Sequence, residues 1–464
     1  MKKVITYGSF DLFHEGHYRL LKRAKELGDY LIVGVTTEHY DESRGKLNVM
    51  DSLMERVEHV RQTGLADQII IEDHVGQKVE DIQKYGVDIF TVGSDWIGAF
   101  DYLKQYCKVV YLERTRDVSS TMLRAKNFSL IRLGIIGCGR IAKRMVPEVK
   151  YVSGIYVESV YNPKIESARK FAEDNELKFY TDNLEDFFNQ IDAVYIASPH
   201  GTHYEYVKQS LMAKKHVLCE KPMVLKRDEA EELFDLSREK NCVLMEGIKT
   251  AYCPGFVQML SIARSGVIGT IRDVEACFTK LTSPILRELT DTETGGSFTE
   301  LASYTLFAII KLLGSNYKEV KFDGFWAPNG IDTFIKAYIR YPYSLAESRT
   351  GLGVKSEGQL IISGTRGYIK VTAPWWKTQE FEVCYEDTTQ NERYFVKFLG
   401  DGLRYEISDF VSTMNGFEKS EYKLTAEESI AIAGIMEEFL NMRNRGGGGQ
   451  RMKDYNNRGI KMFR

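Results

Sequence analysis

Short β-branched runs alternate with amphipathic helical stretches twice over in this chain, and that doubled alternation constrains its fold most. From Val4 to about Val110 the runs VITYG, YLIVGVTT, QIIIED, IFTVG and KVVYLE are spaced by helical patterns, as in a parallel sheet with helices on its faces. A connector from Ala125 to Ser129 leads to the apolar stretch Ile131 to Ile136, and the alternation restarts with VESVYN, AVYIASP, HVLCEKP and CVLME. Two such series predict two α/β domains in tandem, and 464 residues exceed what one core usually holds. From Ile271 the runs DVEACFTKL, EVKFDGFW, TFIKAYIRY, GQLIISG, GYIKVTA and EFEVCYE follow with short turns, which predicts a largely antiparallel open sheet in an α+β domain. The expected divisions are 1–127, 128–250 and 251–442, with a flexible, basic, Gly-rich tail over 443–464.

Composition narrows the function classes. Hydrophobic residues at 43% and charged residues at 27% describe a soluble globular chain. A formal net charge of -3 offers no bulk attraction to nucleic acid or anionic membrane. The tail from Arg443 to Arg464 is basic, but apart from Tyr455 and Phe463 it lacks the interleaved aromatics that stack on bases. No apolar run reaches a membrane span, and Met1-Lys2-Lys3 leads straight into the first strand without a signal-peptide pattern. The seven cysteines are scattered without CxxC spacing, which suits a reducing cytoplasm and predicts no structural zinc.

The first strand runs into GSFDLFHEGH, Gly8 to His17. A strand, a glycine turn and a helix start present backbone N–H groups and a helix dipole to phosphate. His14 and His17, placed there, can donate to phosphoryl oxygens as charge builds in a transition state. RGK at Arg44 to Lys46, ER at Glu55-Arg56, GSDW at Gly93 to Trp96 and RTRDVSST at Arg114 to Thr121 follow in order. Together these motifs resemble the glycerol-3-phosphate cytidylyltransferase family, within the HxGH nucleotidyltransferases, over nearly all of residues 1–125. The resemblance implies a Rossmann-like domain in which a polyol phosphate oxygen attacks the α-phosphate of CTP and pyrophosphate leaves. It implies catalytic roles for His14, His17, Lys46 and Arg114, with Mg²⁺ on the CTP phosphates rather than on protein side chains. It implies CTP contacts at Gly8, Ser9, Phe10, Gly93, Asp95, Ser119, Ser120 and Thr121, and an acceptor contact at Asp11. In-line phosphoryl transfer depends on positioning and charge stabilisation, which suits such a set. Bland alternatives are surface charges at Lys46 and Arg114, a plain helix cap at Ser119 to Thr121, and an Arg56 paired with a helix-face carboxylate. Arg116 and Asp117 stand where the family has a Glu-Gly pair, which leaves the acceptor's identity open.

The second series opens with GIIGCGRIA. Gly137, Gly139 and Ala142 give the G-x-G-x-x-A form of the dinucleotide fingerprint, after a strand and opening a helix at Arg140 and Ile141. The next strand ends at Tyr161-Asn162, where the ribose contact belongs. Asn162 in place of an acid, with Lys164 nearby, tolerates a 2′-phosphate and so leans toward NADP over NAD. ASPHGTHYEYV from Ala197, CEKP from Cys219, MEG from Met245, GGSFTELASYTL from Gly295 and GTRGYI from Gly364 resemble the Gfo/Idh/MocA oxidoreductase family over roughly 131–441. That resemblance implies cofactor contacts at Ser198, Pro199, His203, Glu220 and Lys221, with Lys221 catalytic beside the nicotinamide. Because no histidine follows His216, the family's histidine proton donor is excluded from the sheet domain. The segment Glu300 to Tyr304 resembles the family's Asp-x-Gly-x-Tyr form, which implies Tyr304 as acid/base with Lys221 lowering its pKa. Glu300 and Ala302 depart from that form, and a plain core aromatic is the alternative for Tyr304.

The fusion predicts a bifunctional cytoplasmic enzyme. A reductase making a polyol phosphate from a keto- or aldo-sugar phosphate would feed a cytidylyltransferase, toward a cell-surface polymer such as teichoic acid or capsule. The alternative is an active cytidylyltransferase with a non-catalytic, NAD(P)-binding scaffold or sensor. Both resemblances imply a homo-oligomer.

Overall fold

The computed structural model describes residues 1–445 except Leu12, His14, 44–48, Met50, Val75, 113–129 and 417–422. It contains two compact units that divide near residue 131, with 149–156 grouped with the first.

The first unit carries β1 (Lys3–Gly8), β2 (Tyr30–Thr36), β3 (Gln68–Glu72), β4 (Ile89–Gly93) and β5 (Lys108–Leu112). They pair in parallel in the order β3-β2-β1-β4-β5. Val4 packs in one core with Leu21, Leu31 and Val57, while Ile5 packs in the other with Ile32, Ile82 and Phe90. Burial on both faces is why these strands read as continuous apolar runs rather than alternating ones. The order reverses between β1 and β4, which opens a crevice at their C-terminal ends, and the helix Glu15–Lys25 starts there.

The second unit has a six-stranded sheet of β6 (Ile131–Ile136), β7 (Ile155–Tyr161), β8 (Phe179–Thr181), β9 (Ala193–Ile196), β10 (His216–Glu220) and β11 (Leu244–Gly247). Its order is β11-β10-β9-β6-β7-β8, again with a reversal, here between β6 and β9. Its last sheet holds β12 (Ile271–Thr279), β13 (Glu319–Trp326), β14 (Asp332–Arg340), β15 (Leu345–Gly351), β16 (Leu360–Gly364), β17 (Tyr368–Val371), β18 (Glu380–Cys384) and β19 (Glu392–Phe395). The order is β13-β14-β15-β12-β16-β17-β18-β19, antiparallel except for the β12–β15 pair.

The helix Ser297–Leu313 packs on β12 and β15, and small polar side chains let it approach. Thr305 and Ser348 hydroxyls meet at 2.6 Å, and those of Ser297 and Thr350 at 3.3 Å. Asp332 places its buried carboxylate at the helix N-terminus, where Ser297 Oγ donates at 2.7 Å and the Phe298 amide at 2.8 Å. Gly296, at φ +121°, makes room for it, because a Cβ there would stand 2.0 Å from Asp332 Oδ1.

The helix Ala426–Asn444 runs past the expected start of the tail. Arg443 donates to the carbonyls of Gly295 at 3.0 Å and Glu293 at 2.6 Å, so it belongs to the folded unit, which corrects the boundary placed at 443. The remainder of the tail, from 446, lies outside the described residues. Among the described residues no helix is long and apolar enough to cross a membrane.

Candidate functional site

At the crevice of the first unit, Gly8 ends β1 and Phe10 turns the chain at φ +51°. A Cβ on Gly8 would press on the Phe10 ring at 3.0 Å. The buried Phe10 meets His17 edge-on with centroids 5.5 Å apart, and Phe13 flanks the same imidazole at 5.5 Å. His17 is thereby held on the first turn of Glu15–Lys25, close to the helix's free N–H groups. Asp11 is buried and accepts from the Asp51 amide at 2.9 Å, so at least one of its oxygens ties two loops together. Gly93 closes β4 beside β1, with nothing within 4 Å of its would-be Cβ, and the backbone of Asp95 lies in the turn Ser94–Trp96. Gly8, Ser9, Phe10, Asp11, His17 and Gly93 thus gather at one sheet edge. His14, Lys46, Arg114, Ser119, Ser120 and Thr121 lie outside the described residues.

Arg56 does more than pair with a helix-face carboxylate. It is 0% exposed and donates to the carbonyls of Thr36 at 2.7 Å, Ser9 at 2.9 Å and Asp51 at 3.0 Å. It also pairs with Glu38 at 3.1 Å and Asp41 at 3.8 Å. One guanidinium therefore fixes the loops that follow β1 and β2 and the entry to the helix Leu53–Gln62.

On the other face of the same sheet, Lys78 is a buried cation that sequence reasoning missed. It pairs with the buried Glu72 that ends β3, and its ammonium lies 4.5 Å from the Tyr7 ring centroid and 5.6 Å from that of Phe100. The Tyr7 hydroxyl donates to Asp81 at 2.9 Å. Burial, then Asp81, pushes its pKa well up, so the phenol stays neutral. The only available signal was a lysine on the apolar stripe of the helix Gln77–Tyr85.

In the second unit, β6 turns into the helix Arg140–Val149 through Gly137 and Gly139. Gly137 sits at φ +103°, and a Cβ there would stand 2.7 Å from the Ala197 carbonyl oxygen at the end of β9. At Gly139 that oxygen is 3.9 Å away and no other atom lies within 4 Å. The first glycine lets two loops pass, and the second leaves an open face at a helix N-terminus, the shape a dinucleotide pyrophosphate needs. These residues fit the cofactor. Ile141 is half-buried in the helix's first turn, and Arg140 reaches out to pair with the buried Glu288. Asn162 Oδ1 accepts from the Lys164 amide at 2.9 Å, shaping the end of β7.

Pro199 leads into the turn His200–Thr202, whose Thr202 hydroxyl donates to Ser198 Oγ at 2.8 Å. His203, expected at the cofactor, is 0% exposed, and its ring nitrogens lie 2.8 Å from the Pro222 carbonyl and 2.9 Å from that of Ser198. Its imidazole ties this loop to the Glu220-Lys221-Pro222 turn. Glu220 likewise faces inward and accepts from the Tyr195 hydroxyl.

Lys221 donates to the Glu300 carbonyl at 3.0 Å, lies 3.7 Å from Glu300 Oε1, and sits over the Tyr304 ring at 5.8 Å from its centroid. Lys221 and Tyr304 therefore stand together, with Glu300 as a third member. Burial first, then Glu220, Glu406 and Glu300, push the Tyr304 pKa well above 10, with Arg144 opposing. His200 completes the cluster with Nε2 3.6 Å from Glu300 Oε2. Burial, then Lys221, keeps this imidazole neutral, and its buried Nδ1 has no partner among the described residues. His200 lies inside ASPHGTH, outside the sheet domain from which the sequence excludes a histidine.

Residues 5–126 match the cytidylyltransferase-like family, and residues 131–248 match the oxidoreductase family with an NAD-binding Rossmann fold, Gfo/Idh/MocA. The glycerol-3-phosphate cytidylyltransferase of Bacillus spizizenii is 48% identical over 130 residues, which are 28% of this chain and 100% of that protein. The chain belongs to the glycerol-3-phosphate cytidylyltransferase family. This cytidylyltransferase carries a second enzyme domain, an NAD(P)-binding Gfo/Idh/MocA oxidoreductase. The scyllo-inositol 2-dehydrogenase (NADP(+)) of Bacillus subtilis is 27% identical over 322 residues, covering 67% of this chain and 96% of that protein. A solved 3-ketoreductase from Actinomadura kijaniata, in complex with TDP-benzene and NADP, has the same fold over 68% of this chain and 98% of its own, with TM-score 0.58 and 23% identity.

Proposed function

We propose that the chain reduces the carbonyl of a keto- or aldo-sugar phosphate with NAD(P)H and transfers a cytidylyl group from CTP to the resulting polyol phosphate. The products are a CDP-polyol and pyrophosphate, and the acceptor resembles glycerol phosphate. The observation that carries this reading is the fusion of a full-length cytidylyltransferase relative to an oxidoreductase domain in which Lys221, Glu300 and Tyr304 meet.

In the first domain His14, His17, Lys46 and Arg114 would stabilise the charge of in-line transfer, with Mg²⁺ on the CTP phosphates. In the second, bound NAD(P)H would supply the hydride. Gly137, Gly139 and the helix start would hold its pyrophosphate, Asn162 its ribose, and Tyr304 would hand a proton to the carbonyl oxygen beside Lys221. The boundaries lie near 127 and 250, the protein works as a homo-oligomer in the cytoplasm, and its product serves a cell-surface polymer such as teichoic acid or capsule.

Incubation with CTP, Mg²⁺, NADPH and a panel of triose, tetrulose and pentulose phosphates, followed by mass identification of CDP-linked products, tests the coupling. Consumption of CTP with glycerol phosphate, but of NAD(P)H with none of the panel, would sink it. A second reading, a nucleotide-binding scaffold, is favoured by the Lys221 ammonium being engaged by Glu300. NADPH binding without turnover on any substrate is its signature.

A further inference from the structure

Glu406, on the helix Leu403–Met414, is 0% exposed, and neither of its carboxyl oxygens has a hydrogen-bond partner among the described residues. A Cβ on Gly247 would lie 3.6 Å from Glu406 Oε2 and 3.6 Å from the Glu220 Cα. The carboxyl thus packs against the C-terminal ends of β10 and β11, where the Glu220-Lys221-Pro222 turn begins. An ionised carboxylate without a donor in such a place costs several kcal/mol, whereas the neutral acid costs far less.

Among the described residues no group facing it donates a hydrogen bond to its carboxyl, and Lys249 is the cation whose charge opposes the effect of burial. Glu148, on Arg140–Val149, is engaged by Arg404 at 2.6 and 3.0 Å. Lys249 donates to the Asp401 carbonyl at 3.0 Å. Tyr195, on β9, donates to Glu220. Tyr252 and Cys253 are buried, and Tyr252 donates to the Glu246 carbonyl at 3.1 Å. Tyr304 faces it from Ser297–Leu313. Burial first, and Glu220 next, push the Glu406 pKa well above the carboxylate range.

We propose that Glu406, beside Glu220 at the ends of β10 and β11, is the proton store of the redox site. This rests on the redox reading above. Reducing one carbonyl takes a hydride at carbon and a proton at oxygen. The carbonyl oxygen takes that proton from the Tyr304 hydroxyl, and the O–H bond pair stays on Tyr304 as a phenolate. Among buried carboxylates the phenolate is a strong base and takes a proton from the neutral Glu406 carboxyl. The carboxylate formed is reprotonated from solvent, so one proton enters per turnover and the neutral Glu406 is restored.

Glu406→Gln keeps the size of a protonated carboxyl but has no proton to give. In the full-length protein we expect the infrared carbonyl absorption of buried carboxylic acids to lose one component in Glu406→Gln, because Glu220, Glu246 and Asp332 are also buried with raised pKa values. NADPH affinity should stay within about twofold, while NADPH oxidation with the active sugar phosphate should fall on the order of tenfold or more. Glu406→Asp, which restores a titratable proton, should recover part of the rate. Absence of the absorption, an unchanged absorption in Glu406→Gln, or a variant as active as the native enzyme from acid to alkaline pH would overturn the proposal. A native protein that oxidised no NADPH would remove the redox reading together with the store's role. An active native enzyme with an unaffected variant would refute the store alone.

Discussion

Two glycines two residues apart make opposite predictions. Gly137→Ala forces an L side chain to φ +103° and puts its methyl 2.7 Å from the Ala197 oxygen, 2.9 Å from the Ala197 carbonyl carbon and 3.1 Å from the Ser198 nitrogen. All three neighbours are backbone, so no rotamer change relieves the contact. Strain at such a φ costs about 1–3 kcal/mol and the overpacking about 1–3 kcal/mol more, out of the roughly 5–15 kcal/mol by which a domain is stable. The displaced segment also carries the Ser198 carbonyl, which faces His203 and through it the Pro222 turn, so damage should reach Lys221. Gly139→Ala meets one atom at 3.9 Å, at a backbone angle any residue adopts, and should change stability by less than about 1 kcal/mol. Its methyl would instead occupy the face open to the pyrophosphate. Thermal unfolding by calorimetry should fall for Gly137→Ala only, fluorescence titration should show weaker NADPH binding for both, and cytidylyl transfer should stay within about twofold of native. Equal unfolding midpoints for the two variants, or native NADPH affinity in Gly137→Ala, would refute this account of the loop.

Arg56→Lys leaves one ammonium to serve three carbonyls that a planar fork now reaches, and should cost about 3 kcal/mol by urea unfolding with a matching loss of cytidylyl transfer. A loss below about 1 kcal/mol would make the clamp dispensable. Glu406 has a raised pKa in the folded state, so above the ordinary value of 4.5 the unfolded chain releases a proton that the folded chain keeps. Its contribution is complete below that value and is lost as pH rises toward the folded-state pKa, by up to about 1.4 kcal/mol per pH unit. Denaturant unfolding at pH 5 and pH 8 should show a smaller alkaline loss in Glu406→Gln than in the native protein, and equal losses would contradict its protonated state.

The parallel sheets were legible because strands buried on both faces must be apolar throughout, as in VITYG and AVYIA. β15, Leu345 to Gly351, was not, although it lies inside the last sheet and pairs with β12. Its inward residues Ala346, Ser348 and Thr350 are small or polar because the helix Ser297–Leu313 packs close and supplies their partners. A sequence can spell out a glycine that shapes a phosphate loop, since the backbone demand is local. It cannot display which charges will be buried. His200 and Glu406 acquire their character from partners far along the chain, Lys78 from the distant Tyr7 ring as well as from nearby Glu72, and Glu300, noted only as a departure from the family's aspartate, proves to hold Lys221.

His203 has a consequence in tautomers. Its two ring nitrogens face two carbonyl oxygens, both acceptors, while burial first of all favours the neutral ring with a single N–H. In that form the Ser198 loop and the Pro222 turn compete for one hydrogen, and whichever contact lacks it sets lone pair against lone pair. The two loops joined by His203, one of them carrying Lys221, are therefore coupled by the position of one proton. Moving it from Nδ1 to Nε2 tightens one loop at the expense of the other.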